Sequence, residues 1–379
     1  MITQLSIKGF KTLKDFSVSL TRVSVLVGPN NCGKSNVLRA LSFLGAAVRE
    51  GLPTAILKAG GDSEVFSRTG DQHLEIGLEA RFGKTSLKYL IGTATPTRAH
   101  GIEDLTTEGE YQVRSSLGSD GSADLAIAGD DRSRVSGLVP GSILRLFSQR
   151  LGCPEPIRRL HEFLGGVALA DFSMDRLRDK SRPAPGVQLQ ANGENLAAVL
   201  DRLHGDALAT HKKIEREVSS VAPSITGIVT PTVDTHGNKV VGIVESDQTF
   251  KADSMSDGIL LFIALSTVSQ ANGGRALVCL EEPDRGIHPR RIREILEQVN
   301  RVAAAGSQFI LTTHSPVLLN EFRDYPESVL ILDRPDATAD RPGGARGSRS
   351  AGGSPPRDRG RHRPTRAPLS ARSSRRPGP

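Results

Sequence analysis

One octapeptide near the start of the chain constrains the fold more than any other segment. Gly28-Pro29-Asn30-Asn31-Cys32-Gly33-Lys34-Ser35 has the pattern G-x-x-x-x-G-K-S. It follows an apolar run, Val23 to Val27, that is typical of a buried strand, and helical apolar spacing follows it from Ser35 to Val48. A glycine-rich turn between a strand and a helix presents backbone N–H groups and a helix N-terminus to phosphate. The sequence therefore predicts a phosphate loop on an α/β fold.

Within this loop the side chains have separate expected roles. Lys34 is expected to reach the β and γ phosphates of a nucleotide, and the Ser35 hydroxyl is expected to ligate Mg²⁺. Asn31 occupies a turn position where a left-handed backbone is expected, and Asn tolerates that conformation better than most residues. The predicted nucleotide-binding residues are Gly28, Pro29, Asn30, Asn31, Cys32, Gly33, Lys34, Ser35 and Asn36.

A second apolar run ends in adjacent carboxylates, in the order Leu277-Val278-Cys279-Leu280-Glu281-Glu282-Pro283-Asp284. Adjacent side chains on a strand point to opposite faces, so the two acids can take different roles. Glu281 is expected to hold Mg²⁺ through water, and Glu282 to orient and deprotonate an attacking water. Alone, the pair is better explained as two solvated acids. Together with the phosphate loop it predicts nucleotide hydrolysis.

Two further motifs precede or follow apolar elements. His314 ends the run Phe309 to Thr313; a lone His is more often structural, but this position suits a hydrogen bond to the γ-phosphate. Ser256-Asp257-Gly258 precedes a predicted helix over Ile259 to Val268. Ser and Asp there are plain N-cap signals, and such a helix start is also an anion site.

Composition divides the chain after Asp333. Residues 334–379 contain twelve Arg, no Lys and three Asp, whereas residues 1–333 carry 37 basic and 39 acidic side chains, a net charge of −2. The basic balance of +7 therefore belongs to the tail, and the body gives no global reason to expect nucleic acid or acidic lipid. The tail is expected to be disordered; a tether to nucleic acid or to an anionic surface and an out-of-frame segment are the alternatives.

Cysteine usage and hydropathy indicate the compartment. Cys32, Cys153 and Cys279 lie far apart, so no disulfide framework or zinc knuckle is predicted. The longest apolar run, Ile259 to Leu265, is far shorter than the ~18 residues of a membrane span. We expect a cytoplasmic protein with no membrane partner. The position of Cys32 inside the phosphate loop suggests that oxidants could affect activity.

The order of these motifs resembles the ABC-type ATPases of the RecF, SMC and OLD (overcoming lysogenization defect) group, above all its single-chain AAA-family or SMC-like members. Gly193 to Leu200 and Ile287-His288-Pro289 are also similar to that group, and the similarity covers most of residues 1–333. The implied fold is an α/β P-loop NTPase with an ABC-ATPase-type head, a mainly helical or irregular insertion and a disordered C-terminal tail.

The resemblance also implies a head-to-tail dimer that sandwiches ATP. Ser256 would then bind the γ-phosphate in trans, Asp284 to Gly286 would lie at the dimer seam, and Lys11 would lie near the nucleotide. Gln72 is the one candidate for a glutamine loop. This sequence departs from the group at Glu281, where many relatives have Asp, and in having Met-Ser-Asp-Gly instead of Leu-Ser-Gly-Gly.

The expected organisation has five parts. They are an N-terminal ATPase lobe (1–91), an insertion (92–165) that is irregular up to about Pro140 and then has two short helices, a helical and hairpin subdomain (166–250), a C-terminal ATPase lobe (251–333) and the tail (334–379).

The leading hypothesis is an ATPase that uses ATP and Mg²⁺, with Lys34, Glu282 and His314 as catalytic residues, and that dimerises on ATP. DNA repair, chromosome maintenance and phage defence all fit it. The alternative is an ATP-dependent scaffold with negligible hydrolysis that recruits DNA or a separate effector. A transporter motor is less favoured because this chain shows no fused membrane span. A GTPase is less favoured because the acid of an Asn-Lys-x-Asp element is missing after Asn238-Lys239. OLD proteins carry a C-terminal Toprim nuclease domain, for which residues after Asp333 show no counterpart, so a nuclease would be a separate subunit.

Overall fold

The computed structural model describes residues 1–67, 73–93, 102–108, 113–117, 123–127, 133–135, 142–150, 152–271, 276–285, 289–333 and 372–373. The strands are β1 (Ile2–Phe10), β2 (Leu13–Ser19), β3 (Val23–Val27), β4 (Leu74–Phe82), β5 (Thr85–Thr93), β6 (Ile102–Glu108), β7 (Val113–Leu117), β8 (Ala123–Ile127), β9 (Ser133–Val135), β10 (Ala168–Ala170), β11 (Ile225–Val229), β12 (Gly242–Glu245), β13 (Gln248–Lys251), β14 (Leu277–Glu281), β15 (Gln308–Thr312), β16 (Val329–Ile331) and β17 (Arg372–Ser373). The helices are α1 (Lys34–Glu50), α2 (Leu52–Lys58), α3 (Asp62–Val65), α4 (Ile143–Ser148), α5 (Glu155–Gly165), α6 (Met174–Leu177), α7 (Leu196–Asp206), α8 (Leu208–Val221), α9 (Asp257–Ala271), α10 (Pro289–Ala304) and α11 (Pro316–Asn320).

An antiparallel sheet of eight strands has the order β2-β1-β4-β5-β6-β7-β8-β9. The predicted hairpin is confirmed at β4 and β5, which pair from Leu74 opposite Thr93 to Phe82 opposite Thr85. Its turn contains Gly83, whose φ of 63° is the left-handed conformation that glycine adopts without strain. Alternate residues of β4 are buried, as a sheet with one apolar face requires.

The insertion differs from the expectation of a mainly helical or irregular segment. The two predicted helices are present as α4 and α5, but residues 102–135 also contain four strands, β6 to β9, which extend the antiparallel sheet. These strands carry Thr, Ser, Asp and Arg with few apolar residues, so their sequence lacks the alternation that indicates a half-buried strand. Backbone pairing of β6 with β5 adds these strands to the sheet, although their side chains give no strand signal.

The second sheet has six strands in the order β10-β14-β15-β3-β16-β17. Its first five strands are parallel, and β17 pairs antiparallel with β16. On β14, Leu277 and Cys279 pack on one face of the sheet, and Val278 and Leu280 pack on the other. The continuous apolar runs of β3, β14 and β15 thus reflect burial on both faces, as the sequence predicted.

Helix α1 lies between the two sheets. Its buried face packs in one core with β1, β4 and β5 and with the inner face of the parallel sheet. The other face of that sheet is covered by a second core, in which α9 is buried from Leu260 to Gln270. A buried side chain joins the sheets at the amino end of β15, where Gln308 hydrogen bonds to Ile2 and to the Thr21 carbonyl.

The carboxyl end of α1 is tied to the two helices of the insertion. The Ser142 hydroxyl, which caps α4, donates to the Val48 carbonyl at 3.0 Å. The Arg49 guanidinium donates to the carbonyl of Gly165 at the end of α5, and Arg145 of α4 donates to the Arg49 carbonyl. The helix that begins at the phosphate loop therefore ends on the insertion.

A small antiparallel sheet, β11-β12-β13, and helices α7 and α8 make up the hairpin and helical region. The predicted strands over 225–229 and 240–244 are found there, with the second one shifted to Gly242–Glu245.

The predicted disordered tail lies outside the described residues, apart from the two that form β17. Among the residues that are described, no helix combines the length and apolar character that crossing a bilayer demands.

Candidate active site

The order of the parallel strands brings three sequence motifs to one edge. Strands β14, β15 and β3 are direct neighbours and run parallel, so their carboxyl ends meet. The phosphate loop follows β3, Glu281 and Glu282 end β14, and His314 follows β15. The structure therefore places the predicted catalytic side chains at one edge of the sheet.

The phosphate loop has the backbone that its sequence predicts. Asn31 has a φ of 62°, in the left-handed region. The Lys34 side chain is 6% exposed, and its Nζ donates to the carbonyls of Gly28 and Pro29, each at 2.9 Å. A Cβ on Gly28 would lie 2.3 Å from the Leu332 carbonyl oxygen, so only glycine fits between the loop and the segment after β16. The loop is held closely against the sheet.

Ser35 and Glu281 meet across the site, although they are far apart in sequence. The Ser35 hydroxyl donates to Oε1 of Glu281. A hydroxyl and a carboxylate oxygen are the hard ligands that Mg²⁺ takes, together with water and substrate phosphates. No group of three or more His, Cys, Asp or Glu side chains with metal-binding geometry occurs in the part of the chain that the structure describes. The hydroxyl and the carboxylate thus fit a magnesium ion that a nucleotide helps to hold.

Glu282 has an unusual backbone for a non-glycine residue, with a φ of 44°. Its N–H donates to the carbonyl of Thr312 at 3.1 Å and to the hydroxyl of the same residue at 3.2 Å. Left-handed backbone in a non-glycine residue costs energy and is concentrated at functional sites. These hydrogen bonds to β15 fix the residue where the strand ends.

The carboxylate of Glu282 lies between two basic side chains. His314 Nε2 is 3.7 Å from Oε1, and Arg285 donates to Oε2 from Nε at 3.1 Å and from Nη2 at 3.0 Å. The same guanidinium lies 3.4 Å from Oδ1 of Asp171, which follows β10. Hydrogen bonding to Glu282 raises the pKa of the Arg285 guanidinium.

Sequence reasoning missed Asp171 as a site residue. It follows β10, the neighbour of β14, and therefore reaches the same edge as Glu281 and Glu282. Burial raises the pKa of the Asp171 carboxyl, and these two glutamates add to the rise, while Arg285 opposes it. The available signal was an apolar run, Val167 to Ala170, that ends in a carboxylate.

Arg285 was assigned only to a predicted dimer seam. Its spacing of three residues from Glu282, across a turn that contains proline, is the signal that could have found the contact.

The remaining predicted residues have mixed positions. The hydroxyl of Ser256 is exposed and accepts a hydrogen bond from the Ile259 N–H at 3.4 Å; no other partner of this hydroxyl occurs among the described residues. Lys11 lies in the turn between β1 and β2, and its Nζ is 3.5 Å from Glu64. The neighbouring Thr12 hydroxyl accepts a hydrogen bond from Asn36 at 2.7 Å. Asp284 accepts from Thr313 at 2.8 Å. Gln72 and Gly286 lie outside the described residues.

The predicted oxidant sensitivity of Cys32 meets a physical obstacle. The side chain is 1% exposed, and its Sγ lies 3.9 Å from Lys34 Nζ. Oxidation of a thiol requires access as well as thiolate character. The fold therefore disfavours direct attack on this cysteine.

Sequence comparison identifies a family and a relative of this chain. The sequence profile of the family described as "AAA domain, putative AbiEii toxin, Type IV TA system" matches residues 23–320. The Old nuclease of Escherichia phage P2 is 22% identical over 352 residues, which cover 84% of this chain and 57% of that protein. The chain thus spans little more than half of that relative.

Solved structures with low similarity to this chain include heads of SMC proteins. The SMC head bound to the C-winged helix domain of ScpA has a TM-score of 0.46 at 14% identity, covering 87% of this chain and 94% of that one. The SMC head domain from Thermotoga maritima has a TM-score of 0.41 at 12% identity, covering 87% and 94%. Because the profile spans most of the chain, from β3 to α11, the protein belongs to that AAA-domain family of P-loop ATPases.

Proposed function

We propose that this protein hydrolyses ATP to ADP and phosphate and forms a head-to-tail homodimer on ATP. One observation carries the proposal: the Ser35 hydroxyl contacts Glu281 while Glu282 lies beside His314, so that phosphate loop, acid pair and histidine converge. The membership in a P-loop ATPase family supports nucleotide as the ligand.

Each side chain has a role that its position supports. The N–H groups of the phosphate loop and Lys34 bind the β and γ phosphates, for which Lys34 exchanges its hydrogen bonds to loop carbonyls. Glu282 accepts a proton from a water molecule while the oxygen of that water attacks the γ-phosphorus. The bond between the γ-phosphorus and the bridging oxygen then breaks, and ADP leaves. His314, which is 42% exposed, hydrogen bonds to a γ-phosphate oxygen.

Magnesium would be held by Ser35 directly and by Glu281 through water. When bound it neutralises phosphate charge and orients the β and γ phosphates. Before magnesium binds, the contact between Ser35 and Glu281 keeps both oxygen ligands at the phosphate loop.

Dimerisation supplies the second half of the nucleotide site. Ser256 is exposed at the start of α9, a position that supports binding of a γ-phosphate on a partner protomer. Arg178 fixes this segment by donating to Asp257 at 2.7 Å and to the Met255 carbonyl at 3.1 Å. A rigid, exposed helix start suits contact with a second chain. Asp284, beside the acid pair, would lie at the same seam.

The relation to a phage Old nuclease supports a cellular role in DNA repair, chromosome maintenance or phage defence. A nuclease or another effector would then act as a separate partner. The cytoplasm, with no membrane partner, is the compartment we propose.

A second candidate function follows from the contact between Arg285 and Glu282. Two hydrogen bonds of the guanidinium fall on one oxygen of the proposed base. If Arg285 stayed bound to Glu282 after ATP binds, the carboxylate would be a poor base. The protein would then be an ATP-dependent scaffold with negligible hydrolysis.

The deciding experiment measures ATP turnover and light-scattering mass on the full chain, with Mg²⁺, for wild type and Glu282→Gln. We expect turnover to fall at least about 10²-fold in the variant, since general-base catalysis contributes roughly 10²–10⁴. ATP binding should persist, and the variant should accumulate as a dimer. Glu327→Gln, an exposed acid before β16, is the matched control. Equal background turnover in both proteins, with ATP bound, would exclude the hydrolase and leave the scaffold.

A further inference from the structure

A cavity of about 1160 Å³ opens at the edge of the parallel sheet opposite the candidate active site. Arg22 precedes β3, Gly306 precedes β15 and Gly166 lies shortly before β10, so the cavity lies at the amino ends of these strands. The five residues of β3, at about 3.3 Å each, separate it from the phosphate loop by roughly 16 Å. The cavity is therefore a different site from the one that holds the proposed nucleotide.

Four elements that are remote in sequence each bring a cation to this cavity. They are Arg22 before β3, Arg81 of β4, Arg158 of α5 and Lys213 of α8. Among the described residues no carboxylate lies within ion-pair distance of these four side chains. Arg22 is oriented by a hydrogen bond of 2.9 Å to the Ala303 carbonyl.

The acids of the cavity do not balance these charges. Glu155 is engaged by a further cation, Arg159, at 2.5 Å, which leaves Glu162 as the other acidic side chain of the lining. Residues 1–333 as a whole carry a net charge of −2, so the cavity reverses the average of the body. Cations that outnumber the acidic side chains around them indicate an anionic ligand.

The size and the lining favour a chain of phosphates. The volume exceeds the roughly 300–1,000 Å³ of pockets for small molecules. Three of the four unpaired cations are Arg, whose planar fork binds phosphate oxygens in pairs. Phe82 also lines the cavity and is half-buried, held edge-on by Phe163 at 6.1 Å between ring centroids. A fixed aromatic ring beside Arg side chains is a combination on which bases of single strands stack.

We propose that this cavity, which we call the basic cleft, binds the phosphodiester backbone of single-stranded nucleic acid. The inference goes beyond the proposed ATPase and does not depend on it. It also agrees with the body's lack of a global basic charge, because the positive potential is local to four side chains. Separation of the two sites by the thickness of the sheet allows both ligands to bind at once.

The test uses fluorescence anisotropy of a labelled oligothymidylate of about 20 nucleotides, with the full chain, over a series of NaCl concentrations. The variants are Arg81→Glu and Arg158→Glu, alone and together, and the matched control is Lys251→Glu, an exposed cation on β13. The Arg-rich tail is present in every protein, so its own affinity for the probe is common to all. Both substituted arginines are exposed, and Lys213→Gln provides a milder variant if either reversal lowers the melting temperature.

We expect the double variant to bind about tenfold or more weakly, with a salt dependence that is shallower by roughly 0.7 per lost phosphate contact. The control should stay within about twofold of wild type, and Lys213→Gln should weaken binding in the same direction. ATP binding should be unchanged in all of them. Equal affinity and equal salt slope in wild type and the cleft variants would overturn the proposal. Displacement of the oligonucleotide by poly-glutamate at equal charge concentration would also overturn it, by assigning the cleft to an acidic protein.

Discussion

Arg285 donates two hydrogen bonds to the same carboxylate oxygen of Glu282, from Nε at 3.1 Å and from Nη2 at 3.0 Å. The other oxygen of this carboxylate faces His314 at 3.7 Å. One oxygen is thus held by a cation that lies three residues later in the chain, and the other remains available at the strand end. The pair fixes the direction in which the proposed base presents its free oxygen.

Replacing Arg285 by Ala should reduce turnover modestly and leave the affinity for ATP unchanged. Partly exposed ion pairs contribute about 0.2–1 kcal/mol, which corresponds to a fall in kcat of up to about fivefold. Steady-state kinetics and nucleotide titration measure the two quantities, with Arg323→Ala, an exposed arginine paired with Asp324, as control. An increase in turnover would instead mean that Arg285 restrains the base and would favour the scaffold as the resting state.

Ser35→Ala should raise the Mg²⁺ concentration needed for half-maximal turnover by at least about tenfold. The substitution removes both a direct ligand and the hydrogen bond to Glu281, and even second-shell changes cost roughly 10–100-fold in metal affinity. Turnover measured across a Mg²⁺ titration gives the shift, and chelation by EDTA should abolish activity in wild type. Ser220→Ala, an exposed hydroxyl on α8, should leave the titration unchanged. An unchanged midpoint in Ser35→Ala would exclude this hydroxyl as a ligand.

Gly28→Ala should weaken ATP binding and lower stability together. The new Cβ would approach the Leu332 carbonyl and the Cys32 sulfur at 2.3 and 2.9 Å, and the φ of 155° is unfavourable for alanine. Strained backbone of this kind costs of order 1–3 kcal/mol. Urea denaturation and ATP titration are the measurements. Gly205→Ala in α7, with no atom within 4 Å of the new Cβ, should preserve both, and a neutral Gly28→Ala would contradict the close approach described.

Glu103 should make the stability of the protein depend on pH. It lies on β6 and accepts hydrogen bonds from Tyr89 at 2.8 Å and from the N–H groups of Ile143 and Leu144 at 2.7 and 2.9 Å. Burial raises the pKa of this carboxyl, and these three hydrogen bonds oppose the rise only in part. The folded protein therefore holds the proton more tightly than the unfolded chain does.

The stabilisation from protonated Glu103 is present below the unfolded pKa of about 4.5 and is lost as the pH rises through the higher folded value. Glu103→Gln, which resembles the protonated acid, should gain in urea midpoint relative to wild type as the pH is raised from 5 to 8. Each pKa unit corresponds to about 1.4 kcal/mol. Glu327→Gln should follow wild type, and a constant difference between Glu103→Gln and wild type across this range would refute the raised pKa.

Local patterns predicted those parts of the protein in which one segment determines its own structure. Alternation identified the hairpin of β4 and β5, and the apolar runs of β3, β14 and β15 identified buried strands next to the side chains proposed as catalytic. The helix α10 shows that a signal can be present and overlooked, since Ile292, Ile295, Leu296 and Val299 have helical spacing.

Other parts depend on contacts with partners that a local pattern cannot assign by itself. Strands β6 to β9 gain order by pairing with an edge, and their polar residues gave no alternation. Asp171 becomes a site residue only because the three residues of β10 pair with β14. The spacing of three residues could have indicated the contact between Arg285 and Glu282, but no sequence signal indicated the left-handed backbone of Glu282.

Helix α1 connects the phosphate loop with the helices of the insertion. It starts with the lysine of the phosphate loop, and its seventeen residues extend about 25 Å to the segment that Ser142, Arg145 and Gly165 hold. Helix α5, which ends at Gly165, also forms one wall of the basic cleft. A helix is stiff along its axis, so a tilt of α1 at the phosphate loop would displace that wall. Length and rigidity alone therefore make α1 a strut between the two edges of the sheet.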